Sequence, residues 1–219
     1  MRKIMFSDRF GLTKAVIDRI KTQTRRIVPQ NELERIDAYQ VEYYNATFDK
    51  IEGAVLLESY FLDAHKDRLP YKIGDVVAIA QSYQKVVQCG YPIDSRFDAF
   101  RTANWGEGEE GALEKAAGWT NKMFVRAEIM PRQIRMTDVR FERLQDISDE
   151  DCLAEGIRRW TKDDELFKYD LSDGFEMFDW RHKSRTPREA YAALIDKLSG
   201  RGTWESNPCV VAYAFELEK

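Results

Sequence analysis

Apolar and polar positions along this chain fall into blocks with two periods, one helical and one alternating. Lys3-Ile4-Met5-Phe6 reads as an opening strand, with Ser7 or Asp8 placed to cap the helix that follows. Leu12, Ala15, Val16 and Ile20 then recur at helical spacing. Ile27-Val28 ahead of Pro29 reads as a short strand that proline stops. The turn signal Lys72-Ile73-Gly74-Asp75 leads into Val76 to Ala80, a short apolar run of the kind that is buried on both faces of a sheet. From Ile134 to Arg143 the alternation changes face: Ile134 and Met136 share one side, Val139 and Phe141 the other. A bulge or bend near Asp138 is therefore expected. Val210 to Leu217 closes the chain as a strand.

Two helices carry clearer start signals. Ser148-Asp149-Glu150-Asp151 has the capping-box pattern and Gly156 the stop, which predicts a two-turn helix with Glu155 at its C-terminal end. Thr186-Pro187-Arg188-Glu189 is a second box with proline at the first helical position. Ala190, Tyr191, Leu194, Ile195 and Leu198 continue that helix until Gly200. The stretches 30–69, 88–118 and 158–185 break these periods and are read as insertions in a single domain spanning 1–219. Strands and helices mix without a βαβ rhythm. The expected class is α+β, with a mainly antiparallel sheet able to close on itself.

Composition narrows the chemistry more than the fold. With 43% hydrophobic and 33% charged residues in 219, the chain is an ordinary globular one. A net charge of −4 argues against a generic nucleic-acid coat, though a local basic groove remains compatible with it. The odd number of widely spaced cysteines (Cys89, Cys152 and Cys209) does not make a disulfide framework. His65 and His182 have no Cys or His neighbour at ligand spacing, so neither a metal nor a cofactor is expected. No apolar run approaches a membrane span, and the expected setting is a reducing cytoplasm without a membrane partner. Glycine-rich phosphate loops, HExxH and GxSxG are all missing from the sequence.

What remains is Lys21-Thr22-Gln23-Thr24-Arg25-Arg26, where an amine, two hydroxyls, an amide and two guanidinium groups meet between a helix and a strand. Arg25 and Arg26 suit an anionic or hydrogen-bond-rich ligand. They equally suit a solvated basic helix end. A threonine hydroxyl is a nucleophile only if a base takes its proton, and nearby cations make Lys21 a better base by lowering its pKa. Thr24 lies three residues on, close enough for a direct contact if the backbone turns. Trp105, Trp119, Trp160, Trp180 and Trp204 stand in Gly- or charge-rich surroundings, and Arg132, Arg135, Arg140 and Arg143 cluster. Basic residues interleaved with aromatics suit single-stranded nucleic acid, although each tryptophan can as well plug the edge of a core.

Several blocks together resemble ASCH-domain proteins, closest to the long type found in bacteriophages and prophages. These are the helix with its Lys-Thr-x-Thr-Arg-Arg end, the Lys72–Asp75 turn into a buried strand, Arg140 to Ser148 followed by Ala154-Glu155-Gly156-Ile157, and Gly202 to Pro208 before the last strand. They cover roughly half the chain, in the family's order. The resemblance implies a PUA-like fold, a small β-barrel flanked by short helices, with a cleft for RNA, a nucleotide or a modified nucleobase. The family signature at the first helix is similar to G-x-K-x-x-E-x-R. Here Arg19 stands for the glycine, Lys21 and Arg26 match, and Thr24 replaces the glutamate. A bacterial branch that hydrolyses N4-acetylcytidine also has threonine there, and the likeness implies Lys21, Thr24 and Glu155 as catalytic residues. Phage-type relatives carry R-E-T-W after the central strand, whereas this chain has Ala80-Gln81-Ser82-Tyr83. Gln81, Tyr83 and Arg132, with Arg25 and Arg26, are the expected ligand contacts. The expected functions are binding of RNA or a modified nucleoside or nucleotide, or else amidohydrolysis of such a nucleoside. Ribonuclease action lacks a histidine near the motif to act as base.

Overall fold

The computed structural model describes residues 1–29, 31, 69–88, 116–161, 167–171 and 183–218. The first two expected insertions fall almost wholly outside these residues. The third supplies a small hairpin, β5 (Arg158–Thr161) against β6 (Phe167–Asp170).

The main sheet holds β1 (Lys3–Ile4), β2 (Gln23–Ile27), β3 (Val76–Ile79), β4 (Gln133–Arg143) and β7 (Cys209–Leu217). Its order is β1-β3-β4-β7-β2, with β1 parallel to β3 and every other pair antiparallel. The class is therefore α+β, and the sheet mainly antiparallel. The expected closed barrel is not what the described residues form: β1 and β2 are the two edges, and no ladder joins them. The sheet does curl. Arg26 of β2 donates to the Met5 carbonyl just past β1 at 2.7 Å, and the Phe6 and Phe215 rings lie 5.7 Å apart. Side chains thus bridge the gap that backbone pairing leaves open.

The shift of face read from the sequence is a β-bulge between Met136 and Asp138, which lets Met136 and Val139 both be buried. Val76 to Ile79 behaves as expected, with Val77 and Ile79 in the main core. The first helix, α1 (Leu12–Ile17), departs from expectation at its start. Neither Ser7 nor Asp8 caps it; Gly11 does so at φ 66°, while the Asp8 carboxylate accepts from the Thr13 hydroxyl. The helix α3 (Asp149–Ala154) starts on Ser148, whose Oγ accepts from Asp151 N at 3.0 Å. The longest helix, α4 (Pro187–Ser199), starts on Thr186 and buries Ala190, Tyr191, Leu194 and Ile195. It is followed by the single turn α5 (Thr203–Ser206).

A second, smaller core forms beside β3. There α2 (Tyr83–Gln88) packs Tyr83 and Val86 against Ala80, Val125, Ile129 and Met130. Gly118 touches the Tyr83 ring so closely that a Cβ would lie 2.6 Å from Cε2. Gly118→Ala is expected to cost about 1–3 kcal/mol through this overpacking, read as a lower urea midpoint. Among the described residues no helix is long and apolar enough to cross a membrane. Among them, too, no cluster of three or more His, Cys, Asp or Glu side chains could hold a metal ion.

Candidate functional site

The polar hexapeptide is positioned by the way the chain leaves α1. Arg19 takes φ 61°, Lys21 N donates to the Ala15 carbonyl, and Thr22 N to the Ala154 carbonyl, so the end of α1 is tied to the end of α3. β2 then begins at Gln23, inside the hexapeptide and earlier than the apolar pattern predicts. Gly156, at φ 104°, is the close-approach point: a Cβ there would be strained and would lie 3.4 Å from Lys21 Cβ.

On the strand, alternation separates Thr24 from Gln23 and Arg25. Thr24 registers with Tyr213 of β7, and Arg25 registers with Ala212, which in turn registers with Arg140 of β4. Because Ala212 is small, the long side chains on either side of it converge above the sheet. Arg25 Nε meets Glu142 Oε1 at 2.6 Å, Nη2 meets Asp151 Oδ2 at 2.7 Å, and Nη1 meets Glu155 Oε1 at 3.1 Å. Arg140 Nη2 reaches the same Asp151 oxygen at 2.8 Å, and Gln23 Nε2 donates to Asp151 Oδ1 at 2.8 Å. Asp151 and Glu155 are four residues apart on α3 and its C-cap, hence on one face.

Lys21 completes the arrangement. Its ammonium donates to Glu155 Oε2 at 2.5 Å and to the Glu155 carbonyl at 2.9 Å, and both side chains are almost wholly buried. These groups open on a cavity of about 300 Å³. Its polar lining includes Lys21, Thr24, Arg25, Arg26 and Glu155; its apolar lining includes Phe6, Leu12, Ile195 and Leu198, and Tyr191 also lines it.

Burial lowers the Lys21 pKa from its ordinary value; Glu155 opposes the shift, and Arg26 and Arg25 add to it. Arg25 moves the other way, since Glu155 and Glu142 outweigh the cost of its burial. Burial raises Tyr191 far above its normal range, so its phenol is neutral at physiological pH. Burial also pushes the Cys152 thiol up to about 12, which leaves it inert. For Asp151, burial acts upward but is overridden by hydrogen bonds from Arg140, Arg25 and Gln23, and the pKa falls. A depressed carboxylate stabilises the fold above the ordinary aspartate range, and that contribution is lost as pH falls through the folded value. Asp151→Asn is therefore expected to lower stability at pH 7 and to converge on the wild type at an acid pH below the folded value. Urea unfolding at the two pH values checks it.

The cavity brings together Lys21, Thr24, Glu155, Arg25 and Arg26, and it does not include Gln81, Tyr83 or Arg132. Tyr83 belongs to the second core, where its hydroxyl accepts from Arg126 N at 3.1 Å. Gln81 is buried at the end of β3, and the Arg132 carbonyl accepts from Ile79 N. Among the described residues no hydrogen bond joins Lys21 and Thr24, and Lys21 donates to Glu155 instead. The sequence reading missed Gln23, Glu142, Asp151 and Tyr191 as site residues. The four-residue spacing of Asp151 and Glu155 was the available signal. No family model, no curated protein and no solved structure matches this chain.

Proposed function

We propose that this cavity takes a ligand of nucleobase or nucleoside size and hydrolyses an acyl amide on it. The observation that carries the reading is the buried Lys21–Glu155 pair opening on the same cavity as Thr24. A buried lysine with a lowered pKa next to a carboxylate is a group tuned to move protons. In the proposed sequence Lys21, in the neutral form that its lowered pKa makes accessible, takes the Thr24 hydroxyl proton as Oγ attacks the acyl carbonyl. The C–N bond breaks, Glu155 relays that proton from Lys21 to the departing amine, and the acyl group stays on Thr24 as an ester. Water then cleaves that ester, releasing the acid and restoring the hydroxyl. Arg26, on the exposed rim, is placed to hold the base or the developing oxyanion.

Charge favours an uncharged ligand over a phosphate backbone. Arg25 is fully engaged by three carboxylates and Lys21 by Glu155, so the cavity floor offers a polyanion little. Two features support the PUA-like, ASCH-type reading. The sheet curls until Arg26 reaches Met5 across its open edges. Arg19, standing where the family signature has glycine, adopts the left-handed backbone that glycine takes without strain.

A second reading, binding of the modified base or of an unpaired RNA base without turnover, draws on one observation. Lys21 donates both of its hydrogen bonds to Glu155 and none to Thr24. Incubation of the purified protein with N4-acetylcytidine, followed by chromatography for cytidine, separates the two. Release of cytidine is the expected result. Calorimetric binding with no cytidine would overturn hydrolysis in favour of the binding reading.

A further inference from the structure

We propose that Arg25 is a positioning residue, whose guanidinium fixes the Glu155 carboxylate so that one oxygen is held by Arg25 and the other is presented to Lys21. In this way it decides which member of the Lys21–Glu155 pair holds the shared proton. The inference deepens the hydrolytic reading, in that Lys21 is taken as the proton-handling group of the site.

The geometry is specific. Glu155 Oε1 lies 3.1 Å from Arg25 Nη1, and Oε2 lies 2.5 Å from Lys21 Nζ. The two oxygens therefore have different partners, and the carboxylate cannot rotate without breaking both contacts. Arg25 is itself immobilised, its side chain fully buried and its other nitrogens held by Glu142 and Asp151. Glu142 comes from β4 and Asp151 from α3, so the guanidinium is fixed from two elements at once. Each of its three nitrogens meets a carboxylate, so the Arg25 charge is engaged by the protein although the residue lines the cavity. A guanidinium suits this task because its planar fork sets direction as well as charge, which a lysine ammonium would not do.

The charged and titratable groups around Lys21 come from every packed element: Glu155, Asp151 and Cys152 from α3 and its cap, Arg25 and Arg26 from β2, Arg140 and Glu142 from β4, and Tyr191 from α4. Two changes in this set act on Lys21 in opposite senses. Arg25→Gln removes a cation and leaves Glu155 wholly to Lys21, which favours the ammonium. Asp151→Asn removes an anion and leaves more of the Arg25 charge on Glu155, which disfavours it.

The test is a pH titration of the full chain labelled with ¹³C at lysine Cε, followed by NMR, with the Lys21 signal assigned by its loss in Lys21→Arg. The expected midpoint moves up by about one unit in Arg25→Gln and down in Asp151→Asn. A role confined to packing would move neither midpoint, or both in one direction, and either result overturns the proposal. If Arg25→Gln does not fold, Asp151→Asn decides alone: a downward shift upholds the proposal, and no shift or an upward one ends it. The titration needs no turnover, so a protein that binds N4-acetylcytidine without cleaving it would defeat the hydrolytic reading and leave this result standing.

Discussion

Thr24→Ala is expected to lower cytidine release from N4-acetylcytidine by at least ~10³-fold while nucleoside affinity stays within a few-fold of the wild type. The asymmetry follows from where the hydroxyl stands. Thr24 is 6% exposed, lines the cavity, and makes no hydrogen bond to Lys21 among the described residues. Its backbone pairing with Tyr213 is untouched by the change, so the fold should lose only about 1 kcal/mol or less. A nucleophile contributes to the transition state and hardly to ground-state binding, so kcat should fall with KM nearly constant. Thr24→Ser, which keeps a hydroxyl on a more mobile side chain, should retain measurable turnover. Equal rates for Thr24→Ala and wild type would remove Thr24 from the chemistry and leave a water molecule as the attacking group.

Much of this site could be read from the chain, and the parts that could not have identifiable physical reasons. Lys21, Thr24 and Glu155 are 134 positions apart at the extremes, yet motif and resemblance placed them together and Lys21 does contact Glu155. The capping residues Ser148 and Thr186 and the bulge before Asp138 were legible because each rests on local stereochemistry. The role of Arg25 was not. β2 carries Gln, Thr, Arg, Arg and Ile, so no apolar alternation announces its register, and register decides which arginine turns to the carboxylates. Asp151 and Glu142 were hidden for the same reason, since the register of β2 decides that Arg25 meets them. Gln81 and Tyr83 were expected at the cleft because they stand where phage-type ASCH proteins carry R-E-T-W; a second small core claims Tyr83 instead. Barrel closure is a property of edge pairing, and the two-residue β1 gives no pattern from which to read it.

Arg25→Met is expected to be the most destabilising single change at the site, at about 3 kcal/mol or more at pH 7. Removal of the guanidinium leaves Glu142, Asp151 and Glu155 converging on a space filled by an apolar chain. Their side chains are only 14%, 16% and 5% exposed, so water cannot replace what is lost. Arg140 and Lys21 stay in contact with Asp151 and Glu155, and so the cost should stop short of the full burial penalty of three charges. Lys21→Met should cost less, since Glu155 keeps Arg25 as a partner. The pH dependence identifies the cause. As pH falls the clustered carboxylates of Arg25→Met can take up protons and relieve their repulsion, while the same protonation in the wild type removes favourable contacts. The stability difference should therefore shrink steadily from pH 7 towards pH 4. Urea unfolding across that range checks it. A difference that did not change with pH would mean that Arg25 acts through packing of its methylene stem, with the carboxylates incidental. A shrinking one would make the charge cluster the element that holds α3, and with it Glu155, against the sheet.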